Sequence, residues 1–422
     1  MIEIDKVLNT ILNEPIELPK VLVQGLTNSS SKVKKGYIFF AFKGENNDGN
    51  DFIEDAFKNG ACLAITDSDK LEFQTNVIKV EDIRAAAGIA CSNFYNSPQN
   101  KLRLIGITGT NGKTSTSTIL KNILDNENEK TLQVGTSGIK PSIDINPGLT
   151  TPDIFDLYEI LNHAVLEGFK NVVLEVSSHA LSQRRIENIF FDITAFTNLT
   201  HDHLDYHKTM DEYFGEKLKL FNLNKENGSS VIMINDEYGK KITKLNSHAK
   251  SISLETKDAD YSCTSFSINN LGITGTLSWD SKTLDFESRL IGSFNLENIV
   301  LAASIGIELN ISSKSIIEGI LNCTNIDGRL HFVENKKNQM IFLDYAHTPD
   351  AYLKALQALK DNFKNPIKVL FGAGGGRDKL KRPKMAEVVE KFSIESYLAP
   401  DNPRFDDIDS VSYTHLTLPT KA

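Results

Sequence analysis

Short apolar runs alternate with amphipathic stretches along most of this chain. Runs rich in β-branched and aromatic residues occur at 37–44, 61–67, 76–82, 102–108, 171–176, 191–197 and 231–235. Gly, Asn, Asp or Ser bounds each run, which is typical of buried β-strands. Segments between the runs carry apolar residues three and four positions apart and predict helices. This alternation predicts an α/β protein whose parallel sheets are covered by helices.

The same pattern divides the chain into domains. Residues 1–98 predict a small mixed domain that ends at a polar stretch containing proline. Residues 99–328 predict a central domain, with an antiparallel excursion over the Ser- and Thr-rich segment 251–290. A third domain begins near 329 and ends near 409, with apolar runs at 340–347, 367–376 and 395–404, which leaves room for only two or three strands. We therefore expect a truncated third domain followed by a non-native tail at 410–422.

Composition narrows the class of protein. The 422 residues carry 46 Lys and Arg against 55 Asp and Glu, for a formal net charge of -9. This balance disfavours nucleic-acid binding and anionic-membrane binding, because both need a positive field. No apolar run approaches the ~20 residues that cross a bilayer, so membrane insertion is not expected. Four widely spaced cysteines indicate a reducing, cytoplasmic environment without a disulfide framework.

A glycine loop follows the apolar run at 102–108 and precedes a predicted helix. Its backbone N–H groups and the helix N-terminus are suited to phosphate oxygens. Lys113 would neutralise the phosphates, and the Thr114 hydroxyl would bind Mg²⁺. The alternative is a glycine-rich turn with a solvated lysine. We predict a nucleotide-phosphate site at Gly109, Thr110, Asn111, Gly112, Lys113, Thr114 and Ser115.

Two further segments follow predicted strands. Glu175 ends the run at 171–176, where parallel sheets bind ligands, and is either a Mg²⁺ ligand or an ordinary strand-end acid. His201, His203 and His207 lie just past the run at 191–197. They could bind zinc, or they could be structural histidines, although the interleaved aspartates favour hard-metal or proton chemistry.

Lys217 interrupts an apolar helical face. Met210, Tyr213, Phe214 and Phe221 recur at helical spacing, and Lys217 falls among them. A free ammonium on a buried face is costly unless it is paired or chemically modified. The alternative is a lysine whose stem packs on the helix while its ammonium reaches solvent.

Several weaker signals lie further along the chain. Asn295 and Asn298 stand about one helical turn apart and could either bind an adenine edge or cap the following helix. Arg329 follows Gly328 at the predicted domain boundary, and Asp344 lies in the DYAHTPD turn. A second glycine-rich segment, GAGGGRDK, repeats the strand–glycine–basic pattern around Arg377.

Together these motifs resemble the Mur ligase family. The ordered series GITGTNGKTST, TTPD, EVSSHAL, TNLTHDHLDYH, GSFNLEN, DGRLHFV, DYAHTPDA, GAGGGRDKLKRP and DNPR carries the resemblance, over about residues 25–407. The resemblance implies a three-domain architecture. The small mixed N-terminal domain would bind UDP, the central P-loop parallel-sheet domain would be the ATPase, and the truncated, Rossmann-like C-terminal domain would bind the amino acid.

The resemblance also implies an activity. A family member of this kind would be an ATP-dependent ligase that adds a diamino acid to UDP-MurNAc-L-Ala-D-Glu through an acyl phosphate, in peptidoglycan synthesis. ATP and two Mg²⁺ ions are implied. Thr114 and Glu175 would share one Mg²⁺, and His203 would bind the second. Lys217 would be carbamylated by CO₂ and thereby become an anionic metal ligand. Asn295 and Asn298 would face adenine, while Arg329 and Asp344 would belong to the same ATP site. A monomer is expected.

Substrate contacts are likewise implied by the resemblance. The muramoyl-peptide residues would be Thr150, Thr151, Ser177, Gln183 and Arg185. Ser30, Glu45, Asn46 and Asn47 would form the uridine side, although Ser29-Ser30-Ser31 replaces the family's Asp-Ser-Arg. Arg377, Asp401, Asn402, Pro403 and Arg404 match the form associated with meso-diaminopimelate. An arginine can clamp the extra carboxylate of that amino acid. The alternatives are an L-lysine-adding ligase and a non-catalytic nucleotide-binding fragment.

Overall fold

A computed structural model provides the fold. It describes residues 1–11, 18–44, 47–69, 76–145, 148–337, 339–376, 379, 381–402, 404, 406–407 and 411. Among these residues, every helix is too short or too polar to cross a bilayer.

Strands and helices alternate through the chain as the apolar pattern predicts. The strands are β1 Ile2–Glu3, β2 Leu22–Val23, β3 Gly25–Thr27, β4 Tyr37–Phe40, β5 Ala61–Thr66, β6 Val77–Lys79, β7 Arg103–Thr108, β8 Thr131–Gly135, β9 Gly138–Lys140, β10 Asn171–Glu175, β11 Phe191–Phe196, β12 Asn224–Met233, β13 Lys250–Ser253, β14 Tyr261–Asn269, β15 Gly272–Trp279, β16 Lys282–Ser288, β17 His331–Phe332, β18 Phe342–Leu343, β19 Ile367–Phe371 and β20 Ser393–Leu398. The α-helices are α1 Ile4–Val7, α2 Ile53–Lys58, α3 Ile83–Phe94, α4 Lys113–Asn126, α5 Ile154–Leu166, α6 Ser178–Ser182, α7 Leu204–His207, α8 Met210–Leu218, α9 Glu237–Leu245, α10 Ser293–Glu308, α11 Ser313–Asn322, α12 Pro349–Asn362 and α13 Lys381–Phe392.

The chain folds into two compact units. The first unit contains residues 1–105 and 130–192, and the second contains residues 106–129 and 193–422. Each unit has buried apolar clusters of its own, so the candidate functional residues are described unit by unit. The predicted domain boundaries at 98, 328 and 409 stay predictions.

A parallel sheet organises the first part of the first unit. Its strand order is β3-β4-β5-β6, with Leu26 opposite Ile38 and Ile65 opposite Ile78. Three of these strands confirm the predicted runs at 37–44, 61–67 and 76–82, although each strand ends earlier than its run. Asp82 caps α3, because its carboxylate accepts hydrogen bonds from the backbone N–H groups of Arg84 and Ala85.

The rest of the first unit contains strands β8, β9 and β10. Strand β10 pairs parallel with β8, and β8 pairs antiparallel with β9. All five residues of β10 are buried, as expected of a strand covered on both faces. Helix α5 begins after Asp153, whose carboxylate accepts the backbone N–H of Phe155 at 3.3 Å. The segment 150–153 therefore enters α5 in a fixed conformation.

The second unit combines parallel and antiparallel pairing. Strands β12, β13 and β14 pair in parallel, and β14, β15 and β16 form an antiparallel meander. The meander confirms the predicted excursion over 251–290. Strand β12 begins at Asn224, earlier than the predicted run at 231–235. The apolar run did not include the start of the strand, because the first residues of β12 are polar and at least partly exposed. Helix α4 packs against α10 and α11 within this unit.

The last part of the second unit has a small core of its own. Strands β19 and β20 pair in parallel, beside α12 and α13. Tyr352, Phe371, Met385 and Val389 are among the buried residues of this core. The predicted strands at 367–376 and 395–404 are confirmed as shorter strands. The run at 340–347 forms only the two residues of β18, because Asp344 turns the chain by accepting backbone N–H groups.

Candidate active site

The glycine loop connects β7 to α4 and has two glycines with a positive φ. Gly109 has a φ of 146° and Gly112 has a φ of 88°, a region that L side chains rarely adopt. A Cβ atom at Gly109 would lie 1.8 Å from Thr197 Oγ1, and one at Gly112 would lie 2.4 Å from Asn298 Oδ1. Glycine is therefore required at both positions by backbone conformation and by close packing.

The segment after β11 holds this loop in place. Thr197 Oγ1 donates to the carbonyl of Asn111 at 2.6 Å, and Asn198 Oδ1 accepts the N–H of Asn111 at 3.0 Å. The N–H of Thr200 donates to Thr110 Oγ1 at 3.0 Å. These contacts fix the loop before any ligand binds, which lowers the entropic cost of phosphate binding.

Lys113 begins α4 and folds back over the loop. Its Nζ donates to the carbonyls of Gly109 and Thr110, at 2.8 and 2.9 Å. The ammonium therefore lies at the loop, where phosphate oxygens would need a positive charge. The phosphate-binding role of Lys113 stays a prediction.

Lys217 lies on the buried face of α8, as the spacing predicts. It is 1% exposed, and its Nζ donates to the carbonyl of Gly109 at 2.9 Å. The ammonium does not reach solvent, so the alternative of a solvent-reaching lysine is wrong. Burial lowers the pKa of Lys217 well below its usual value, and the nearby charge of Lys113 lowers the pKa further. An amine in this environment is disposed to be neutral.

Asp202 forms a charged cluster that the sequence did not reveal. It is buried, and its Oδ2 lies 3.4 Å from His203 Nε2 and 3.8 Å from His347 Nε2. Its Oδ1 lies 3.8 Å from Lys381 Nζ. Burial acts to raise the pKa of Asp202, but the charges of His203, Lys381 and His347 outweigh it and lower that pKa. The cluster joins three motifs that are far apart in the chain.

The three histidines do not share one environment. His201 is exposed, whereas His207 is buried and stacks on Tyr213 at 5.2 Å between ring centroids. His203 meets the same tyrosine edge-on at 6.0 Å. Within the described ranges, no three His, Cys, Asp or Glu side chains are grouped as ligands of one metal ion. These positions support the structural alternative for His207 and leave His203 beside the loop.

Two asparagines link α10 to the loop helix. Asn298 Oδ1 accepts a hydrogen bond from Thr116 at 3.3 Å, and Asn298 Nδ2 donates to Asn295 Oδ1 at 3.3 Å. Asn295 Nδ2 donates to the carbonyl of Ile291 at 2.8 Å. Asn295 and Asn298 therefore form one hydrogen-bonded chain beside the glycine loop.

Arg329 reaches the same helix from the chain segment before β17. Its Nη2 donates to Thr114 Oγ1 at 3.3 Å, and its guanidinium lies 5.0 Å from the ring centroid of Tyr345. Asp344 accepts the N–H groups of Leu330 and Ala346, at 2.7 and 2.8 Å. Burial raises the pKa of Asp344, and the charge of Arg329 opposes that rise. Asp344 thus fixes the backbone beside Arg329.

An open cleft of about 310 Å³ lies next to Asn295 and Arg329. Its other lining side chains are mainly apolar and include Phe332, Phe342 and Phe363. Flat apolar walls with a few amide and guanidinium groups are suited to an aromatic base. The sequence did not indicate this cleft, because its aromatic residues lie on three separate segments.

The loop after β20 meets the second glycine-rich segment. Arg404 Nη1 donates to the carbonyl of Gly375 at 2.9 Å, and the N–H of Gly375 donates to the carbonyl of Asn402 at 2.9 Å. The side chain of Asn402 accepts the N–H of Arg404 at 3.1 Å. Asp401 precedes this turn and is exposed. Arg377, Pro403 and most of the tail at 410–422 lie outside the described residues.

A separate group of predicted residues converges in the first unit. Glu175 is fully buried, and its Oε2 accepts from Thr136 Oγ1 at 3.0 Å. Thr151 Oγ1 donates to the carbonyl of Glu175 at 2.8 Å and accepts the N–H of Ser177 at 3.0 Å. Thr150 Oγ1 lies 3.1 Å from the same hydroxyl of Thr136. Hydroxyl groups therefore surround the carboxyl end of β10.

Arg185 lies beside these hydroxyl groups. Its Nη1 donates to the carbonyl of Thr151 at 3.1 Å, and its Nε donates to Gln183 Oε1 at 3.0 Å. The structure thus brings together the predicted residues Thr150, Thr151, Glu175, Ser177, Gln183 and Arg185. Their hydroxyl, amide and guanidinium groups are suited to an uncharged sugar and a carboxylate.

The predicted uridine side lies on the ends of β3 and β4. Ser30 forms a 3-10 turn, and its carbonyl accepts from Asn59 at 2.9 Å. The carbonyl of Asn47 accepts the N–H of Gly44 at 2.9 Å. Asn28, just before the serines, donates to Asp153 at 3.2 Å. Glu45 and Asn46 lie outside the described residues.

Three family models match consecutive parts of the chain. They are described as Mur ligase family, catalytic domain, at residues 22–95; Mur ligase middle domain, at 107–306; and Mur ligase, glutamate ligase domain, at 328–414. The first match lies within residues 1–98 and the second within 99–328, whereas the third runs from 328 to 414.

Curated relatives are similar over most of the chain. A UDP-N-acetylmuramoyl-L-alanyl-D-glutamate–2,6-diaminopimelate ligase from Caldanaerobacter subterraneus is 40% identical over 392 residues, which cover 92% of this chain and 80% of the relative. The protein of the same name from Aquifex aeolicus is 38% identical, with 92% and 80% covered.

Solved structures share the architecture. A structure titled as that same type of ligase has a TM-score of 0.76 at 26% identity, covering 99% of this chain and 86% of the other. The MurF ligase from Thermotoga maritima in complex with ADP has a TM-score of 0.62 at 19% identity, covering 89% and 88%. The second likeness concerns the fold alone.

Proposed function

Because the chain belongs to the Mur ligase family of ATP-dependent ligases, we propose that it joins meso-diaminopimelate to UDP-MurNAc-L-Ala-D-Glu. The product would be an amide in the peptide of a peptidoglycan precursor. The names of the curated relatives support this choice of substrates. We expect the reaction to occur in the cytoplasm and the protein to act as a monomer.

One observation carries the proposal. The buried Lys217 donates to Gly109, the same residue that accepts a hydrogen bond from Lys113 in the glycine loop. A lysine in such a position has no obvious structural advantage, since burying an amine is costly. Transfer of a phosphoryl group, in contrast, needs fixed charges around the phosphates. Chemistry at the loop accounts for the buried amine better than stability does.

The ATP site is proposed around this loop. The backbone N–H groups from Gly109 to Gly112 would bind the phosphates, and Lys113 would neutralise them. Thr110, Asn111 and Ser115 complete the loop. Asn295 and Asn298 would orient the adenine in the adjacent apolar cleft, and Arg329 would approach the phosphates near Thr114. Asp344 would keep the backbone next to Arg329 in position.

The reaction is proposed to proceed in two displacements. In the first, an oxygen of the D-Glu side-chain carboxylate attacks the γ-phosphorus, the bond to ADP breaks, and an acyl phosphate forms. In the second, the amine of the incoming amino acid attacks the acyl carbon, inorganic phosphate leaves, and the nitrogen loses a proton. Lys113 and Arg329 would balance the negative charge that moves during the first displacement.

Magnesium is expected to neutralise phosphate charge when it is bound. Thr114 and Glu175 offer the oxygen atoms that Mg²⁺ prefers, so both are proposed as ligands. Lys217 fits a carbamate, because a neutral amine can add to CO₂ and release a proton. The resulting oxygen atoms, together with His203, would hold a second Mg²⁺. The buried position of Lys217 supports this chemistry independently of the metal.

The nucleotide precursor is proposed to bind the first unit. Ser30 and Asn47, with Glu45 and Asn46, would contact the uridine side. Hydroxyl and amide groups near the end of β10, together with Arg185, would bind the muramoyl-dipeptide. These residues are Thr150, Thr151, Ser177, Gln183 and Arg185.

The amino acid is proposed to bind near the loop that contains Arg404. The guanidinium of Arg404 lies beside Gly375 and could bind the second carboxylate of meso-diaminopimelate bidentately. L-lysine has no carboxylate there, so it would lack the bidentate contact with Arg404. Arg377, Asp401, Asn402 and Pro403 are proposed to complete this site.

Phosphate release measured with ATP, Mg²⁺ and UDP-MurNAc-L-Ala-D-Glu tests the proposal. We expect turnover with meso-diaminopimelate and much slower turnover with L-lysine, with the amide product identified by mass. Lys113→Met should reduce turnover at least ~100-fold, because it removes the charge at the phosphate loop. Turnover that prefers L-lysine would contradict the specificity, and turnover that survives Lys113→Met would contradict the phosphate site.

A further inference from the structure

Arg84 lies in the first turn of α3 and stacks on an aromatic wall. Its guanidinium carbon is 3.8 Å from the ring centroid of Phe42. Phe42 in turn stacks on Phe155, with 5.8 Å between centroids and 25° between ring planes. Stacking on an aromatic face fixes the plane of a guanidinium while leaving its edge N–H groups available.

The neighbouring arginines are already engaged, whereas Arg84 is not. Arg184 contacts Asp82 at 2.8 Å and Glu187 at 2.7 Å. Arg185 donates to Gln183 and to the carbonyl of Thr151. Across the described part of the first unit, the Arg84 side chain has neither a hydrogen bond nor an ion pair. The carboxylates of Asp153 and Asp67 act on Arg84 through their charge without a direct ion pair, so the guanidinium N–H groups are available to an anionic ligand.

Arg84 lies near the middle of the proposed nucleotide site. Phe42 directly precedes the segment 43–49, which carries the proposed uridine contacts, and Phe155 lies two residues after Asp153, the last residue of the segment Thr150–Asp153. Asp153 accepts a hydrogen bond from Asn28, and its charge acts on both Arg84 and Arg185. Arg84 therefore lies between the residues proposed for uridine and those proposed for the muramoyl group.

The proposed substrate carries its diphosphate between those same two groups. We propose that Arg84 binds this diphosphate of the UDP-linked substrate, an inference that rests on the proposed function. The guanidinium fork would donate to phosphate oxygens bidentately while the stack on Phe42 holds its plane. Ser30, Asn47 and Thr151 offer only neutral groups to the nucleotide, so Arg84 would supply the charge that a diphosphate requires.

Calorimetric binding of UDP and of uridine to the full chain tests this role. We expect Arg84→Met to weaken UDP binding about 10- to 100-fold, because a charged hydrogen-bonding pair is lost. Uridine binding should change less than threefold, since uridine has no phosphate. Arg84→Lys should fall in between, because a lysine keeps the charge but not the fork. The exposed Lys101→Met, which loses the same charge, should behave as the wild type.

Kinetics give a second readout. Arg84→Met should raise KM for UDP-MurNAc-L-Ala-D-Glu, leave kcat within about twofold and leave KM for ATP unchanged, as expected for uniform binding. Equal loss of UDP and uridine affinity, or a parallel loss of ATP affinity, would overturn the inference in favour of a packing role. If the wild type binds the UDP-linked dipeptide and Arg84→Met binds it equally well, only the inference fails. Absence of any binding by the folded wild type would overturn the proposed nucleotide site as well.

Discussion

At the scale of single residues, a substitution of Lys217 most clearly distinguishes an effect on activity from an effect on stability. Its amine is buried beside Gly109, and burial lowers its pKa well below the usual value. We expect Lys217→Met to reduce ligase turnover at least ~100-fold while the protein still folds, because methionine fills a similar volume without a buried amine. Lys219→Met is the matched control, since Lys219 is exposed and pairs with Glu216 on the same segment. The control should retain full activity.

The pH dependence of stability tests the state of the same amine. In the unfolded chain Lys217 regains its ordinary pKa, so the unfolded state binds more protons and wild-type stability rises with pH through the window between the two pKa values. Lys217→Met removes this dependence. In CO₂-depleted buffer, the Tm of the variant minus that of the wild type should therefore be larger at about pH 6 than at about pH 10. A difference that does not change with pH would mean that the amine titrates normally.

Residue-scale prediction from the sequence succeeded where one segment held the information. The burial of Lys217 follows from the apolar spacing within α8, and the loop glycines follow from their own motif. Asp202, His347 and Lys381 meet only in three dimensions, so no single segment could indicate their cluster. The proposed role of Arg84 likewise depends on its contact with Phe42, which lies in the segment after β4.

At the scale of elements, the start of α4 depends on the glycine at its N-terminus. Gly112 has a φ of 88°, and a Cβ atom there would lie 2.4 Å from Asn298 Oδ1. We expect Gly112→Ala to lower stability by more than the ~1 kcal/mol of a left-handed alanine and to weaken ATP binding at least ~10-fold. The displaced loop would no longer present its N–H groups to phosphates. Thermal unfolding and ATP titration measure the two effects.

Gly168 provides the matched control for this backbone effect. It also adopts a positive φ, 71°, but a Cβ atom there would meet nothing within 4 Å. Gly168→Ala should therefore cost only about 1 kcal/mol and leave ATP affinity unchanged. If both variants lose equal stability and both bind ATP normally, the close approach of Asn298 does not constrain the loop.

Most elements could be predicted, because their apolar runs are long enough to show the periodicity of a strand or a helix. Strands β7, β10 and β11 match their predicted runs within one residue at each end. The prediction failed where tertiary contacts decide the outcome. The start of β12 is polar, and β18 is short because Asp344 accepts backbone N–H groups. Hydrogen bonds from a distant backbone segment are not visible in local periodicity.

At the scale of the whole molecule, the two compact units divide the proposed ligand contacts between them. The residues proposed for the nucleotide precursor belong to the first unit, and the glycine loop, Lys217 and the aromatic cleft belong to the second. The apolar pattern predicted three segments but could not predict this grouping, because residues 130–192 join the first unit only through contacts distant in sequence.

This division predicts separate patterns of amide hydrogen-exchange protection. A ligand that binds the native state stabilises it by about 2.7 kcal/mol at 100 times its Kd, and the amides that it contacts exchange more slowly. We expect UDP to protect residues near 28–50, and Mg²⁺-ATP to protect residues near 106–116 and 290–345. Lys113→Met should reduce the protection by ATP and leave that by UDP, whereas Arg84→Met should reduce the protection by UDP and leave that by ATP. Protection by UDP at the glycine loop instead, or loss of both patterns in either variant, would contradict the assignment of the two ligands to their separate units.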